Sequence, residues 1–326
     1  MTLLKLVLKT PGLNIALAQL DGRIAQSLKV SAEIPVRFVA NTLVSRLVAE
    51  WRLVRNTSGA EVVLCFHGLP PLLPVSARVV VAVQNRLLLD HSALRSFPVK
   101  TRMRLMIERL WFKWCQSHAS EYVVQTASMA RLLRRLLRPD SAASVSILPF
   151  ADRAIVHTLG NPALRTYDFV YVASGDPHKN HETLLQAWQL LAQAGLRPSL
   201  ALTVDPGAYP GLVSMIARDV EAHGLAITNL GHLEPSAVDE LYAVSGALVY
   251  PSLAESFGLP LIEAQSRGMP ILAPELDYVR DVADPAETFD AESPVSLCRA
   301  IRRFMGRPEQ LVQVRSADEF VAGLLT

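Results

Sequence analysis

Two glutamates, Glu255 and Glu263, stand eight residues apart in the stretch AESFGLPLIEAQSRGMPILAPE, residues 254–275. An ionised carboxylate is a strong acceptor, suited to the hydroxyls of a sugar or a ribose. The residues around them set their places. Pro251-Ser252 interrupts the chain just after the apolar run 247–250, which reads as a buried strand. Pro260 falls in the first turn of the following helical stretch, where its missing N–H costs little. Glu255 therefore belongs to a loop at a strand end, and Glu263 to the first turns of the next helix. Ser256, Phe257, Gly258 and Leu259 form the turn between them, and free N–H groups at a helix start favour an anionic ligand. In an open α/β sheet, ligands bind outside the carboxyl ends of the strands, where this turn lies.

A second cluster is the loop SGDPHKNH, residues 174–181. Lys179 offers a compact cation with three donors, and Ser174, Asn180 and the following helix start offer further polar contacts for a phosphate. Read alone, the Lys-Asn pair fits a solvated turn equally well. His178 and His181 flank the lysine, but on a turn and with no third ligand in view, so polar contacts are expected there rather than a metal. In the first half of the chain, His67 and Gly68 sit in FHGLPPLLP (66–74), too proline-rich to continue a strand. The strand VVVAV (79–83) ends in Gln84, Asn85 and Arg86. An amide there would hydrogen-bond a hydroxyl but would not act as acid or base near neutral pH.

These groups need elements to hold them. Strands are expected at 3–8, 35–39, 61–66, 78–83 and 121–125, with helices near 14–28, 41–53, 100–118 and 127–137. In the second half, strands are expected near 168–173, 199–204, 226–230, 247–250 and 270–273. Helices near 181–195, 211–223, 235–244 and 259–268 alternate with them. Such alternation predicts α/β architecture, with parallel sheets covered by helices. Pro149, Gly160, Asn161 and Pro162 mark a boundary that divides the chain into domains 1–160 and 161–326.

The string at 254–275 resembles the E-x7-E signature of retaining GT-B glycosyltransferases of family 4, the glycosyltransferase group 1 enzymes. Residues 168–188 resemble the opening of that family's donor domain, and 122–133 the end of its acceptor domain. Residues 274–284 resemble a segment of its bacterial O-antigen and polysaccharide branch. The resemblance spans most of 60–310 and is most specific over 168–284. It implies a GT-B fold, two facing Rossmann-like domains with the active cleft between them. It also implies a tail helix near 308–324 crossing back to the first domain.

By the same resemblance, Lys179 contacts the donor diphosphate, Glu263 the ribose and Glu255 the transferred sugar. Ser174, Asn180, Ser256, Phe257, Gly258 and Leu259 complete the donor site. Many relatives place a sugar-contacting histidine where this chain has Gln84 and Asn85, so Asn85 joins Glu255 in the expected catalytic set, with His67 the other contender. The family's Gly-Gly loop is represented by Gly12 alone. The arginine usual before the lysine is absent, and Arg280 is a candidate for the second phosphate cation. The implied reaction moves a hexose, mannose or rhamnose, from a nucleotide-sugar to a lipid-linked glycan with retention. The nucleotide-sugar is a co-substrate, and no cofactor or metal is implied. A GT-B paralogue that binds nucleotide-sugar without catalysis is the alternative reading. A dinucleotide enzyme is disfavoured, because no G-x-G-x-x-G opens a helix after a strand.

Composition is consistent with these expectations. Of 326 residues, 50% are hydrophobic, yet no apolar run approaches the ~20 residues of a membrane span. No convincing signal-peptide cleavage site follows the start. Cys65, Cys115 and Cys298 lack metal-type spacing and read as reduced thiols, so a cytoplasmic setting is expected. The net charge is +2, and no nucleic-acid-binding module is present. The stretch 100–138 concentrates nine Lys and Arg residues with Trp111 and Trp114, which suits the surface of an anionic membrane at its cytoplasmic face. A helix packed on its own sheet by those tryptophans fits the same pattern.

Overall fold

The computed structural model describes residues 4, 7–8, 10, 15–22, 34–40, 42–57, 62–90, 97–150 and 165–309. The first half runs β1 (Ala18–Asp21), β2 (Val36–Val39), α1 (Leu43–Asn56), β3 (Val62–Cys65), β4 (Arg78–Ala82), α2 (Arg86–Leu89), α3 (Val99–Cys115), β5 (Glu121–Val124), α4 (Ala127–Leu136) and β6 (Ser144–Ile147). The second runs β7 (Tyr167–Tyr171), α5 (His181–Gln193), β8 (Leu200–Leu202), α6 (Pro210–His223), β9 (Ile227–Asn229), α7 (Pro235–Ala243), β10 (Ser245–Val249), α8 (Leu259–Ser266), β11 (Ile271–Pro274), α9 (Asp277–Arg280), β12 (Glu287–Phe289) and α10 (Pro294–Phe304).

Every strand pair is parallel. The second half is one six-stranded sheet in the order β12-β11-β10-β7-β8-β9. Strand order reverses between β7 and β10, the point at which a doubly wound sheet opens a crevice for ligand. The strands are short apolar runs, and β7, β8, β10 and β11 are buried almost throughout, as expected when helices cover both faces. Trp188 anchors α5 to this core. Its ring meets Phe169 edge-on at 5.7 Å, and its Nε1–H donates to Pro198 O at 2.9 Å. In the first half, β3-β4-β5-β6 form one sheet and β1-β2 a separate pair. Val81, Tyr122, Leu105 and Leu133 are buried around the four-stranded sheet.

The expected alternation is present, with corrections. Residues 14–28 do not form one helix, since Ala18–Asp21 is a strand paired with β2. Leu4, Val7 and Leu8 are helical rather than extended. Short apolar runs satisfy either period, and tertiary pairing decides between them. The edge strands β6 and β12 and the last helix α10 are additional elements. Gly12, the boundary residues 151–164 and the tail beyond 309 lie outside the described residues.

Gly246 lets β10 approach β7. A Cβ there would lie 2.7 Å from the carbonyl oxygen of Asp168. A strand backbone at the sheet centre has nowhere to move, so Gly246→Ala should destabilise by about 1–3 kcal/mol. Urea denaturation followed by circular dichroism should show a lowered midpoint at unchanged slope. An unchanged midpoint would refute this account of the β7–β10 contact.

Candidate donor-sugar site

Because β7 and β10 are neighbours running the same way, the loops after them emerge side by side. The first carries Lys179 and the second Glu255. Backbone and side-chain bonds stitch the two together. Leu253 N–H donates to His178 O at 2.8 Å, and Asn180 Nδ2 donates to Pro251 O at 3.1 Å and to Ala291 O at 2.7 Å. Asn180 itself adopts φ 60°, ψ 39°, the left-handed conformation that Asn tolerates better than most residues.

Lys179 Nζ lies 2.6 Å from Glu255 Oε1, and the side chains are 15% and 11% exposed. The same oxygen accepts from Tyr250 OH at 2.9 Å and Ser252 Oγ at 2.6 Å. Burial, then the Glu255 charge, pushes the Tyr250 hydroxyl well above its ordinary pKa, so it stays a protonated donor. Tyr171 OH donates to Lys179 O at 2.7 Å, and Tyr278 OH to Ser252 O at 2.6 Å. Buried tyrosines thus hold both loop backbones, and a partly buried ion pair sits at their junction. Removing one partner of such a pair costs far more than removing an exposed one.

This pair faces a cavity of about 280 Å³ between the two halves. Gln84 and Gln125 line it from the first half; Lys179, Tyr250 and the run 255–260 line it from the second. The helix α8 begins at its wall. Gly258, at φ 70°, provides the left-handed turn into that helix. The halves touch around the cavity. Thr126 Oγ1 lies 3.4 Å from Ser256 O, and Ser128 N–H donates to Asp281 Oδ2 at 2.8 Å. Arg131 pairs with Asp277 at 3.1 Å, and Phe97 stacks on His178 with ring centroids 5.8 Å apart.

The cavity therefore gathers Glu255, Lys179, Ser256, Phe257, Gly258 and Leu259. Other expected site residues lie elsewhere. Asn85 caps α2 by accepting from Leu87 N–H at 3.0 Å, so the short helix claims its side-chain oxygen. Its neighbour Gln84 lines the cavity instead, with a buried Nε2 that has no hydrogen-bond partner among the described residues. Asn180 spends its amide hydrogens on two carbonyls and its Oδ1 on Thr183; it shapes the loop and has no side-chain donor left for a phosphate. Ser174 Oγ is bonded to Asp176. Glu263 does not line the cavity. Its Oε2 accepts from Tyr242 OH at 3.0 Å, and burial raises its pKa. His67 lies off the cavity lining. Desolvation, then the charge of Arg46, lowers its pKa, although its surface remains open to solvent, which limits the shift. Arg280 is held by Glu275 and Asp284, each at 2.7 Å, and is not among the residues lining the cavity. Arg86 approaches more closely, with Nη1 3.5 Å from Glu255 O and its guanidinium 3.3 Å from Asp90. Gln125, Tyr250 and Arg86 carried no motif in the sequence; each follows a strand or ends one, which is their only signal.

Comparison with known proteins now bears on this geometry. Residues 160–318 match the family described as glycosyl transferases group 1. The matched stretch covers the whole six-stranded half and contains every cavity residue contributed by that half. The serotype-specific mannosyltransferase WbdA of Escherichia coli is 25% identical over 228 residues, 64% of this chain and 28% of the relative. The O-antigen chain mannosyltransferase B of Escherichia coli is 31% identical over 132 residues, 38% of this chain and 34% of the relative. The chain thus spans about a third or less of the length of these curated relatives. Among solved structures, sucrose-phosphate synthase from Thermosynechococcus elongatus superposes with a TM-score of 0.66 at 17% identity, over 86% of this chain and 76% of that one. Anabaena Alr3699/HepE, solved in complex with UDP and glucose, gives 0.64 at 16% identity, over 89% and 82%. The fold is GT-B, with the cavity in the cleft between its two halves.

His181 yields a pH prediction for this site. It is 4% exposed and its ring nitrogen Nε2 lies 2.8 Å from Ser174 O. Desolvation pushes its pKa down to about 4. The folded state therefore holds a neutral ring where the unfolded chain, with an ordinary pKa near 6.5, binds a proton. Stability rises with pH wherever the unfolded state binds more protons. This contribution is complete above about pH 6.5 and falls away between there and pH 4, by on the order of 3 kcal/mol. Urea midpoints measured from pH 7.5 to 4.5 should fall, and fall less in His181→Gln. Parallel curves for the two proteins would refute the assignment.

Proposed function

We propose that this protein is a retaining glycosyltransferase that moves a hexose from a nucleotide-sugar to a lipid-linked glycan, working at the cytoplasmic face of a membrane in O-antigen or related polysaccharide synthesis. The observation that carries this reading is the Lys179–Glu255 pair at the wall of the cleft, beside the start of α8. Mannose is favoured over rhamnose because two relatives are described as mannosyltransferases. HepE was solved with UDP and glucose, which supports a nucleoside diphosphate in the cleft of this chain too.

In this reading the diphosphate takes Lys179 as its cation, and the N–H groups at the start of α8 add donors and a favourable dipole. Positive charge placed there stabilises the negative charge that builds on the leaving diphosphate. Glu255, held in place by its three donors, accepts from hydroxyls of the transferred sugar. Gln84 supplies the amide opposite them, since its unpartnered Nε2 gains a hydrogen bond when a sugar oxygen arrives. It takes the role first expected of Asn85. Glu263 can serve as the ribose contact while keeping its Tyr242 bond, since a carboxylate accepts several hydrogen bonds. No strong base is needed for retention, in keeping with an amide in the cleft.

Loss of a charge-assisted contact costs about 1.5–3 kcal/mol, or roughly tenfold to a hundredfold in affinity. Lys179→Ala should weaken binding of GDP- and UDP-sugars by that factor in calorimetric titration. Gln84→Leu should lower turnover of the sugar while leaving affinity for the free nucleotide unchanged. NMR of the product should show the donor's anomeric configuration, and activity should survive EDTA. Unchanged nucleotide affinity in Lys179→Ala, or an inverted product, would overturn the reading. Tight nucleotide-sugar binding with neither transfer nor hydrolysis would identify a binding paralogue instead.

A further inference from the structure

The helix α3 is built the wrong way round for a helix that faces water. Its core face is ordinary: Leu105, Phe112 and Cys115 are buried, and Trp111 Nε1–H donates to Pro70 O at 2.8 Å. The opposite face is also apolar. Val99, Met103, Met106, Ile107, Leu110 and Trp114 are all exposed, Ile107 at 62% and Trp114 at 70%. At 3.6 residues per turn these positions form one continuous outward stripe, pointing away from the Leu105–Phe112 face. Cations border it on both sides, Lys100 and Arg104 along one edge and Arg102 and Lys113 along the other. Glu108, the helix's sole acid, is turned toward the core side and lies 3.6 Å from Arg104.

A basic groove adjoins the C-terminal end of this helix. Arg134, Arg135 and Arg138 surround a cavity of about 520 Å³ between the end of α4 and β6. Arg138 Nη2 reaches Lys113 O at 3.4 Å, which places this groove beside Trp114. Among the described residues these three arginines make no ion pair; the side chains of Arg134 and Arg138 donate to the carbonyls of Val145 and Lys113. Arg131 and Arg109 are different. Arg131 is committed to Asp277 across the cleft, and Arg109 to the carbonyls of Leu87, Leu88 and Asp90. The basic stretch thus divides into residues that hold the fold and residues that face outward.

We propose that α3 docks on an anionic phospholipid bilayer, with its outward stripe at the depth of the acyl boundary and the Arg134–Arg138 groove taking a lipid phosphate. An apolar stripe edged by long cationic side chains matches such a surface in both parts: the stripe leaves water, and the ammonium and guanidinium groups reach up to the headgroups. A second copy of the chain is a poorer match, because pairing two stripes would bring two sets of flanking cations together. The inference deepens the proposed function by saying how a lipid-linked acceptor is met, and it rests on that reading only for the acceptor.

The test is co-sedimentation of the full chain with vesicles of phosphatidylglycerol and phosphatidylcholine, against vesicles of phosphatidylcholine alone. We expect strong partition onto the anionic vesicles at low salt, falling at least tenfold in about 0.5 M salt as screening shortens the reach of charge. Ile107→Glu with Trp114→Glu should cut partition by at least tenfold. Arg134→Glu with Arg135→Glu should remove the preference for anionic lipid. Both pairs are exposed, and circular dichroism and calorimetric nucleotide affinity should match the parent. Negligible binding to both vesicle types at low salt would overturn the proposal, as would stripe variants that partition like the parent. A dimer in sedimentation velocity that Trp114→Glu splits, with no vesicle binding, would overturn it in favour of a second copy. Nucleotide binding by Lys179 is read separately, so loss of the membrane claim leaves the donor-site claim standing, and the reverse.

Discussion

Lys179 and Glu255 are far apart in sequence and 2.6 Å apart in space, and one topological fact brings them together. The sheet of the second half reverses its strand order between β7 and β10. Crossovers from these two strands leave in opposite directions, so the loops at their carboxyl ends are adjacent and uncovered. A cation on one loop and an acid on the other then find each other without further design. The aromatic residues beneath follow from the same geometry. Tyr171 ends β7 and Tyr250 follows β10, and their rings meet at 5.6 Å, nearly perpendicular. Both hydroxyls are buried and point up at the loops, where Lys179 O and Glu255 Oε1 satisfy them. A buried hydroxyl without such a partner would be costly. The tyrosines therefore fix the loops as much as the loops satisfy the tyrosines.

The pair also states what a ligand must do. With Lys179, Tyr250 and Ser252 on one oxygen, Glu255 is already well supplied with donors. A diphosphate that draws Lys179 toward itself leaves Glu255 with two neutral donors and a stronger need for a hydroxyl. In the proposed reading, phosphate and sugar contacts are coupled through this one ion pair. Gln84 completes the geometry from the other half. Its amide nitrogen has no hydrogen-bond partner among the described residues, and an oxygen placed between the halves would supply one.

How much of this was legible in the sequence differs from residue to residue, for physical reasons. Lys179, Glu255 and the turn 256–259 were legible because strand, loop and helix signals flank them closely, so local pattern fixed their place. Asn180 was legible as part of the loop but not in its task, because bonds to Pro251 and Ala291 depend on chain segments far away. Asn85 and Gln84 are neighbours with the same amide. Only the start of α2, a helix of four residues, decides that one caps and the other faces the cleft. Edge strands β6 and β12 are short and half-exposed, so their apolar pattern is weak. The helix expected over 14–28 failed where a pairing partner, β2, outweighed local periodicity.

The two halves of the chain solve different problems, and their surfaces differ accordingly. In the second half the exposed faces of helices are mostly polar, and the candidate site groups converge inward on the cleft. In the first half, α1 and α3 both carry exposed large apolar residues, among them Trp51 and Trp114. They flank the same loop, where Glu50 accepts from Leu72 N–H and Trp111 donates to Pro70 O. Folding alone does not call for these residues, since the four-stranded sheet is already covered by the opposite faces of the same helices. Apolar side chains left in water at two neighbouring helices contribute nothing to the core and add a risk of association. Their presence beside arginines that make no ion pair among the described residues is what the proposed lipid surface would account for. In the proposed reading, the cleft receives a water-soluble donor from one side while α3 meets the lipid that carries the acceptor on the other.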